Sequence, residues 1–231
     1  MNLLRAASTI SLLTLASRIT GLIREQMTAG LFGANGMTDA FLVAFRIPNL
    51  LRRLFAEGAF SQAFVPLLAA SRTTDGDEAT HGLVDAVATV LLWALVATSV
   101  TGIIAAPVLV WLLGSGLAPK SFDASVVMTR FMFPYIGCMS LVALSAGILN
   151  TWRRFVVPAA SPVLLNLSMI GAAALLAPFF RTRGIEPVYA LAVGVMVGGL
   201  LQLGVQVPAL MKIGMAPRIG LTWSRFQAAW H

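Results

Sequence analysis

LVDAVATVLLWALVATSVTGIIAAPVLVWLL, residues 83–113, is the most hydrophobic stretch of the chain. It exceeds the ~20 apolar residues that carry an α-helix across a bilayer, and Pro107 permits a bend within it. Comparable runs lie on both sides. Working outward, the fourth, fifth and sixth fall at about 123–149, 156–180 and 186–211, and the first at 7–31. The second, 37–70, is read as two pieces. The connections GANG (33–36), SRTTDGDEATHG (71–82), LGSGLAPKS (113–121), NTWRR (150–154) and RTRGIE (181–186) combine turn formers with charges, as chains do on leaving the bilayer. The expected fold is an all-α, polytopic membrane helix bundle with six transmembrane segments.

Composition agrees. Of 231 residues 58% are hydrophobic and 11% charged, against about 25% charged in a soluble domain. The net charge of +7 suits contact with anionic membrane lipids. It does not suit nucleic acid, because the arginines alternate with leucine and phenylalanine and form no basic tract. The lone Cys138 excludes an internal disulfide and sits among packing residues. The opening MNLLRAASTISLLTLASRITG has the look of an export signal, but Arg18 and Arg24 and five further apolar segments argue against one.

Charge placement predicts orientation. With the N-terminus inside, the inner regions hold Arg5, Arg72, Arg153, Arg154, Lys212, Arg218 and Arg225, and the outer loops hold Lys120, Arg181 and Arg183. This asymmetry favours a cytoplasmic N-terminus. Residues 1–216 form the six-helix unit, and 217–231 (PRIGLTWSRFQAAWH) mix aromatic and basic residues as an interfacial approach to a further element does.

The remaining basic residues are Arg18, Arg24, Arg46, Arg52, Arg53 and Arg130, and five of these six lie in the first two segments, beside Glu25, Asp39 and Glu57. An arginine at the bilayer centre costs about 2.5 to 3.5 kcal/mol on insertion scales, so a protein-lined, wet cavity is the economical place for several of them. Arg18, Gly21 and Glu25 share a helix face, with Arg24 pointing elsewhere. Asp39, Arg46 and Arg53 recur every seven residues, Pro48 interrupts their hydrogen-bond ladder, and Asn49 lies one turn before Arg52 and Arg53. Local neutralisation competes with a cavity role. Arg53 pairs readily with Glu57, Arg46 with Asp39 or by snorkelling, and Arg24 with Glu25 or the outer interface. Arg18 and Arg52 have no acid within one turn, which favours the cavity for these two. Guanidinium groups match phosphate through a rigid fork of donors, so a phosphate-bearing lipid fits best.

No enzyme is expected. His81 and His231 lack metal-ligand spacing, no nucleophile elbow, Walker A or H-E-x-x-H pattern occurs, and Asp75, Asp77 and Glu78 read as a solvated turn. No cofactor or metal site is expected.

At FRIPNLLRRLFAEGAFSQAFVP (45–66) the chain strongly resembles the MurJ/MviN family of bacterial lipid II flippases. MNLLRAASTISLLTLASRITGLIRE, ILNTWRRF (148–155) and SPVLLNLSMIG (161–171) agree, and the resemblance runs from Met1 to about Ile219. It implies the N-terminal lobe of a fourteen-helix transporter of the multidrug/oligosaccharidyl-lipid/polysaccharide exporter superfamily. Such a protein moves undecaprenyl-diphosphate-linked disaccharide-pentapeptide to the outer leaflet of the bacterial cytoplasmic membrane. The resemblance places substrate-binding roles on Arg18, Arg24 and Arg52, and conformational control on Asp39. It leaves the second lobe, the cation site and the lipid groove outside this chain, with transport coupled to membrane potential or a cation gradient. A separate C-terminal lobe is then an expected partner, beside lipid II and membrane lipids. The alternatives are an exporter of another lipid-linked saccharide and an inactive truncated membrane fragment.

Overall fold

The computed structural model describes residues 3–54 and 59–220, apart from the side chains of 3–6, 52 and 59–61. The described residues form nine α-helices and no strand: α1 (Leu3–Phe32), α2 (Gly36–Arg52), α3 (Ala59–Thr74), α4 (Gly76–Leu113), α5 (Pro119–Met132), α6 (Tyr135–Thr151), α7 (Val156–Gly171), α8 (Ala177–Thr182) and α9 (Tyr189–Lys212). The expected all-helical membrane bundle is what they build.

Among the described residues, four stretches are long and apolar enough to cross a bilayer: Gly76–Leu113, Pro119–Thr151, Val156–Thr182 and Tyr189–Lys212. α4, with 38 residues, extends about 57 Å at 1.5 Å per residue, so it tilts or projects beyond a ~30 Å hydrocarbon core. α5 and α6 are one crossing broken at Pro134, which cannot donate to the ladder. α7 and α8 are likewise one crossing, joined by a π-turn at Ala172–Leu176 just ahead of Pro178. α1 has the length, with 30 residues, but Arg18, Arg24 and Glu25 interrupt its apolar run. α2 and α3 have 17 and 16 residues and are each short for a crossing. Residues 55–58, between α2 and α3, lie outside the described residues, and with them the expected break of the second segment. Pro48 does not end α2, which passes through it, buried, and continues to Arg52.

The α1–α2 corner follows from two residues of GANG. Gly33 ends α1 at φ 67°, a conformation open to glycine at little cost. Asn35 then caps α2, accepting the N–H groups of Met37 and Thr38 at 2.9 and 3.0 Å while its own Nδ2 donates to the Phe32 carbonyl at 2.7 Å. One side chain thus fastens the end of one helix to the start of the next.

Small residues set the packing, as they do where lipid offers no hydrophobic driving force. α2 meets α5 through Ala40, Ala44 and Ala124, and the buried Ser125 hydroxyl donates to the Ala40 carbonyl at 2.9 Å. α9 meets α7 through Gly194 and Gly198, one turn apart. A Cβ on Gly198 would lie 2.7 Å from Leu165 Cδ1, and Ser168 Oγ donates to the Gly194 carbonyl at 2.7 Å. Gln202 and Gln206 of α9 are buried in the same interface, where Gln202 Nε2 donates to the Ser161 carbonyl at 2.9 Å. α1 packs along α7 and α2 along α5, so the two arginine-bearing helices are held by different partners.

Candidate functional site

Arg24 is the best-defined member of the arginine group. It sits on the side of α1 that meets α7, with 24% of its side chain exposed. Its Nη1 donates to Asn166 Oδ1 at 3.0 Å, and its Nη2 to Glu25 Oε1 at 3.1 Å. Asn166, which is buried, turns its Nδ2 to the Ser17 carbonyl at 3.0 Å and to Thr20 Oγ1 at 3.1 Å. The amide has one workable orientation here. A guanidinium only donates, so it must face the oxygen, and the Ser17 carbonyl only accepts, so it must face the nitrogen. The Thr20 hydroxyl is engaged in turn, donating back to the Ala16 carbonyl at 2.8 Å. The result is a clamp between two helices that fixes one edge of the Arg24 fork. Five N–H donors are available to an arginine, and two are used among the described residues.

The local Arg24–Glu25 pairing weighed from the sequence is therefore present, but it is not the main anchor, because Glu25 is 70% exposed. Sequence reasoning misses Asn166 as a site residue. It stands inside SPVLLNLSMIG, and a lone amide in an apolar crossing is the signal that marks it.

Arg18 lies near the middle of α1 and is exposed. It borders a shallow groove of about 310 Å³ formed with Ile10, Ser11, Thr14 and Leu15, and it makes no hydrogen bond or ion pair with a described residue. Six residues separate it from Arg24, about 9 Å along the axis and roughly a third of a turn around it, so the two project on different sides of α1.

On α2, Asp39 lies in the first turn, where a carboxylate suits the positive end of the helix dipole. Arg46 is exposed, and no ion pair joins it to Asp39. Arg53 caps the helix with its N–H on the carbonyls of Asn49 and Leu50, its side chain exposed and Asn49 half-buried. The Arg52 side chain and Glu57 lie outside the described residues, and with them the Arg53–Glu57 pair. The structure thus joins Arg24 to α7 and leaves Arg18, Arg46 and Arg53 on open faces. Among the described side chains, it does not gather the arginines into one closed pocket.

Basic residues outside the crossings tie helix ends and loops together. Arg72 stacks on the Trp152 ring at 4.4 Å and donates to the Thr151 carbonyl at 2.9 Å, tying the end of α3 to the end of α6. Lys120 pairs with Glu186 at 2.8 Å.

Comparison with known proteins finds lipid II flippases among the relatives of the chain. The family model described as "Lipid II flippase MurJ" matches residues 28–229. The chain is 55% identical over 223 residues to the lipid II flippase MurJ of Burkholderia cenocepacia, covering 96% of this chain and 42% of that protein. It is 39% identical over 230 residues to a probable lipid II flippase MurJ of Vibrio cholerae, covering 96% and 43% respectively. A solved structure of a lipid II flippase MurJ in an inward closed conformation superposes with a TM-score of 0.77 at 25% identity, over 95% of this chain and 44% of that one. The chain spans less than half the length of these relatives. By sequence and by fold, it belongs to the lipid II flippase MurJ family.

Proposed function

We propose that this chain is the N-terminal lobe of a lipid II flippase in the bacterial cytoplasmic membrane, and that Arg18, Arg24 and Arg52 receive the substrate's diphosphate. α1 and the α2–α3 pair supply two crossings beside the four apolar ones, which makes six, and the N-terminus is cytoplasmic. The arginine faces of α1 and α2, open in this lobe, are closed into a cavity by a second lobe. Transport is binding and translocation with no bond made or broken, and it is driven by the membrane potential or by a cation gradient whose site lies outside this chain.

The observation that carries the reading is the Arg24 clamp. Asn166 holds one edge of the Arg24 guanidinium, 24% of that side chain is exposed, and N–H donors remain for a ligand. A guanidinium held by a neutral amide and by one exposed carboxylate, with donors left over, suits a mobile anion. Asp39, Pro48, Asn49, Arg53 and Glu57 act on the shape of the second segment rather than on the diphosphate.

Complementation tests this. A flippase carrying this lobe and a homologous second lobe should support growth of a flippase-depleted bacterium and should fail to when Arg24 and Arg52 are both alanine. Normal growth of the double variant at normal membrane abundance contradicts the binding role.

A further inference from the structure

The most hydrophobic helix carries a polar ladder that the arginine site does not use. His81, Asp85, Thr89 and Trp93 recur every four residues along α4 and so lie along one face of it. The segment after α9 lies against that face. Asp85 Oδ1 accepts the backbone N–H of Arg218 at 2.7 Å, Thr89 Oγ1 accepts that of Gly220 at 3.1 Å, and the Trp93 indole N–H reaches the Gly220 carbonyl at 3.4 Å. The other Asp85 oxygen faces His81 Nδ1 at 3.2 Å. The Thr89 hydroxyl gives its own proton to the Asp85 carbonyl at 2.7 Å, which leaves its lone pairs to receive Gly220. Met215, buried, with Ile213 and Ala216 beside it, seats the start of the strap in the same apolar cluster as Val84 and Ala88.

Two physical points make this more than ordinary packing. Residues 216–220 lie outside any helix and have no helical hydrogen bonds of their own. Side chains of α4 meet these backbone groups instead. Second, the three ladder contacts to described strap residues are all to backbone, so they do not depend on a particular strap side chain. Asp85 uses both carboxylate oxygens, one on His81 and one on the strap at Arg218.

We infer that the His81–Asp85–Thr89–Trp93 face is a latch that fixes the chain leaving α9 to α4, so that displacement of the segment beyond Gly220 is delivered to α4. The latch rests on the proposed flippase function for its purpose, but its existence is testable separately. His81 orients the carboxylate; Asp85 and Thr89 hold the amides; Trp93 marks the far end.

The test uses the full-length flippase that contains this lobe, in lipid nanodiscs. Amide hydrogen exchange is followed in peptides spanning 213–220, and transport is followed in proteoliposomes. The Asp85→Ala, Thr89→Val double variant should exchange at least tenfold faster in these peptides, with those of α7 and α9 unchanged, and should lose transport severalfold. Asp85→Asn, which keeps an acceptor for Arg218, should restore both. Unchanged exchange in the double variant overturns the latch. Faster exchange with transport at the wild-type rate overturns the coupling and leaves a passive strap. Arg24→Ala should lose transport with strap protection intact, so a failure of the diphosphate reading is distinguishable from a failure of the latch.

Discussion

Asn166 offers the sharpest perturbation of the arginine site, because two of its substitutions separate holding Arg24 from leaving it charged. The amide makes one bond to a guanidinium and two to neutral groups of α1. Hydrogen bonds to charged groups contribute roughly 1.5–3 kcal/mol in water-accessible proteins, and bonds between membrane helices average nearer ~0.6 kcal/mol. Asn166→Ala should therefore lower the stability of the lobe by about 1–3 kcal/mol, read as a drop in unfolding temperature. It frees Arg24 without discharging it. A diphosphate then has to restrain a side chain with up to ~2 kcal/mol of rotamer entropy, so affinity falls by about tenfold. Asn166→Asp keeps an oxygen against Arg24 but adds a charge. Two unit charges 4 Å apart at an effective dielectric of 20 attract by about 4 kcal/mol, so the guanidinium is largely lost to an incoming anion and affinity falls by more than a hundredfold. The assay is calorimetric titration of the full-length flippase carrying this lobe with a short-chain polyprenyl diphosphate. Asp binding as tightly as Ala refutes the reasoning, since it means that the charge on Arg24 is not what the diphosphate meets.

Two further outcomes follow from packing and backbone geometry. Gly198→Val puts branched carbon where Leu165 already lies 2.7 Å from a bare Cβ position, so α7 and α9 must separate. A loss of about 1–3 kcal/mol, seen as a lower unfolding temperature, is expected, and full retention of stability contradicts the packing. Arg153 closes α6 in the left-handed region at φ 57°, with the Arg154 N–H on the Leu149 carbonyl at 2.8 Å. Glycine relieves roughly 1–2 kcal/mol there and gives part of it back as chain entropy, so Arg153→Gly should raise stability by up to about 1 kcal/mol, and a lower unfolding temperature contradicts that.

How much of the fold and site is legible in the sequence depends on how far apart the interacting residues are. The long crossings are legible because length and apolarity are local: α4 contains the whole of 83–113, and α9 runs to Lys212 against an expected end at 211. GANG is legible as a corner because glycine and a capping asparagine act on adjacent residues. Arg24 stays open between a local carboxylate and a cavity, since its main anchor, Asn166, lies 142 residues away. Asp85 and Thr89 disappear into an apolar run for the same reason, their partners being 133 and 131 residues distant.

Water access at the arginine positions tests the wet-cavity reading most directly. In the full-length flippase with Cys138 replaced by serine, single cysteines at 18, 24 and 52 are exposed to a charged, water-borne thiol reagent in intact membranes. Cysteines at Ile104 and Leu175, 72% and 78% exposed on apolar crossings, serve as the hydrocarbon reference. Only a thiol that meets water ionises and reacts. Rapid labelling at 18, 24 and 52, with none at 104 and 175, is the expected pattern. Labelling at none of the five, or at 104 and 175 as fast as at the arginine positions, means that these arginines do not face an aqueous space.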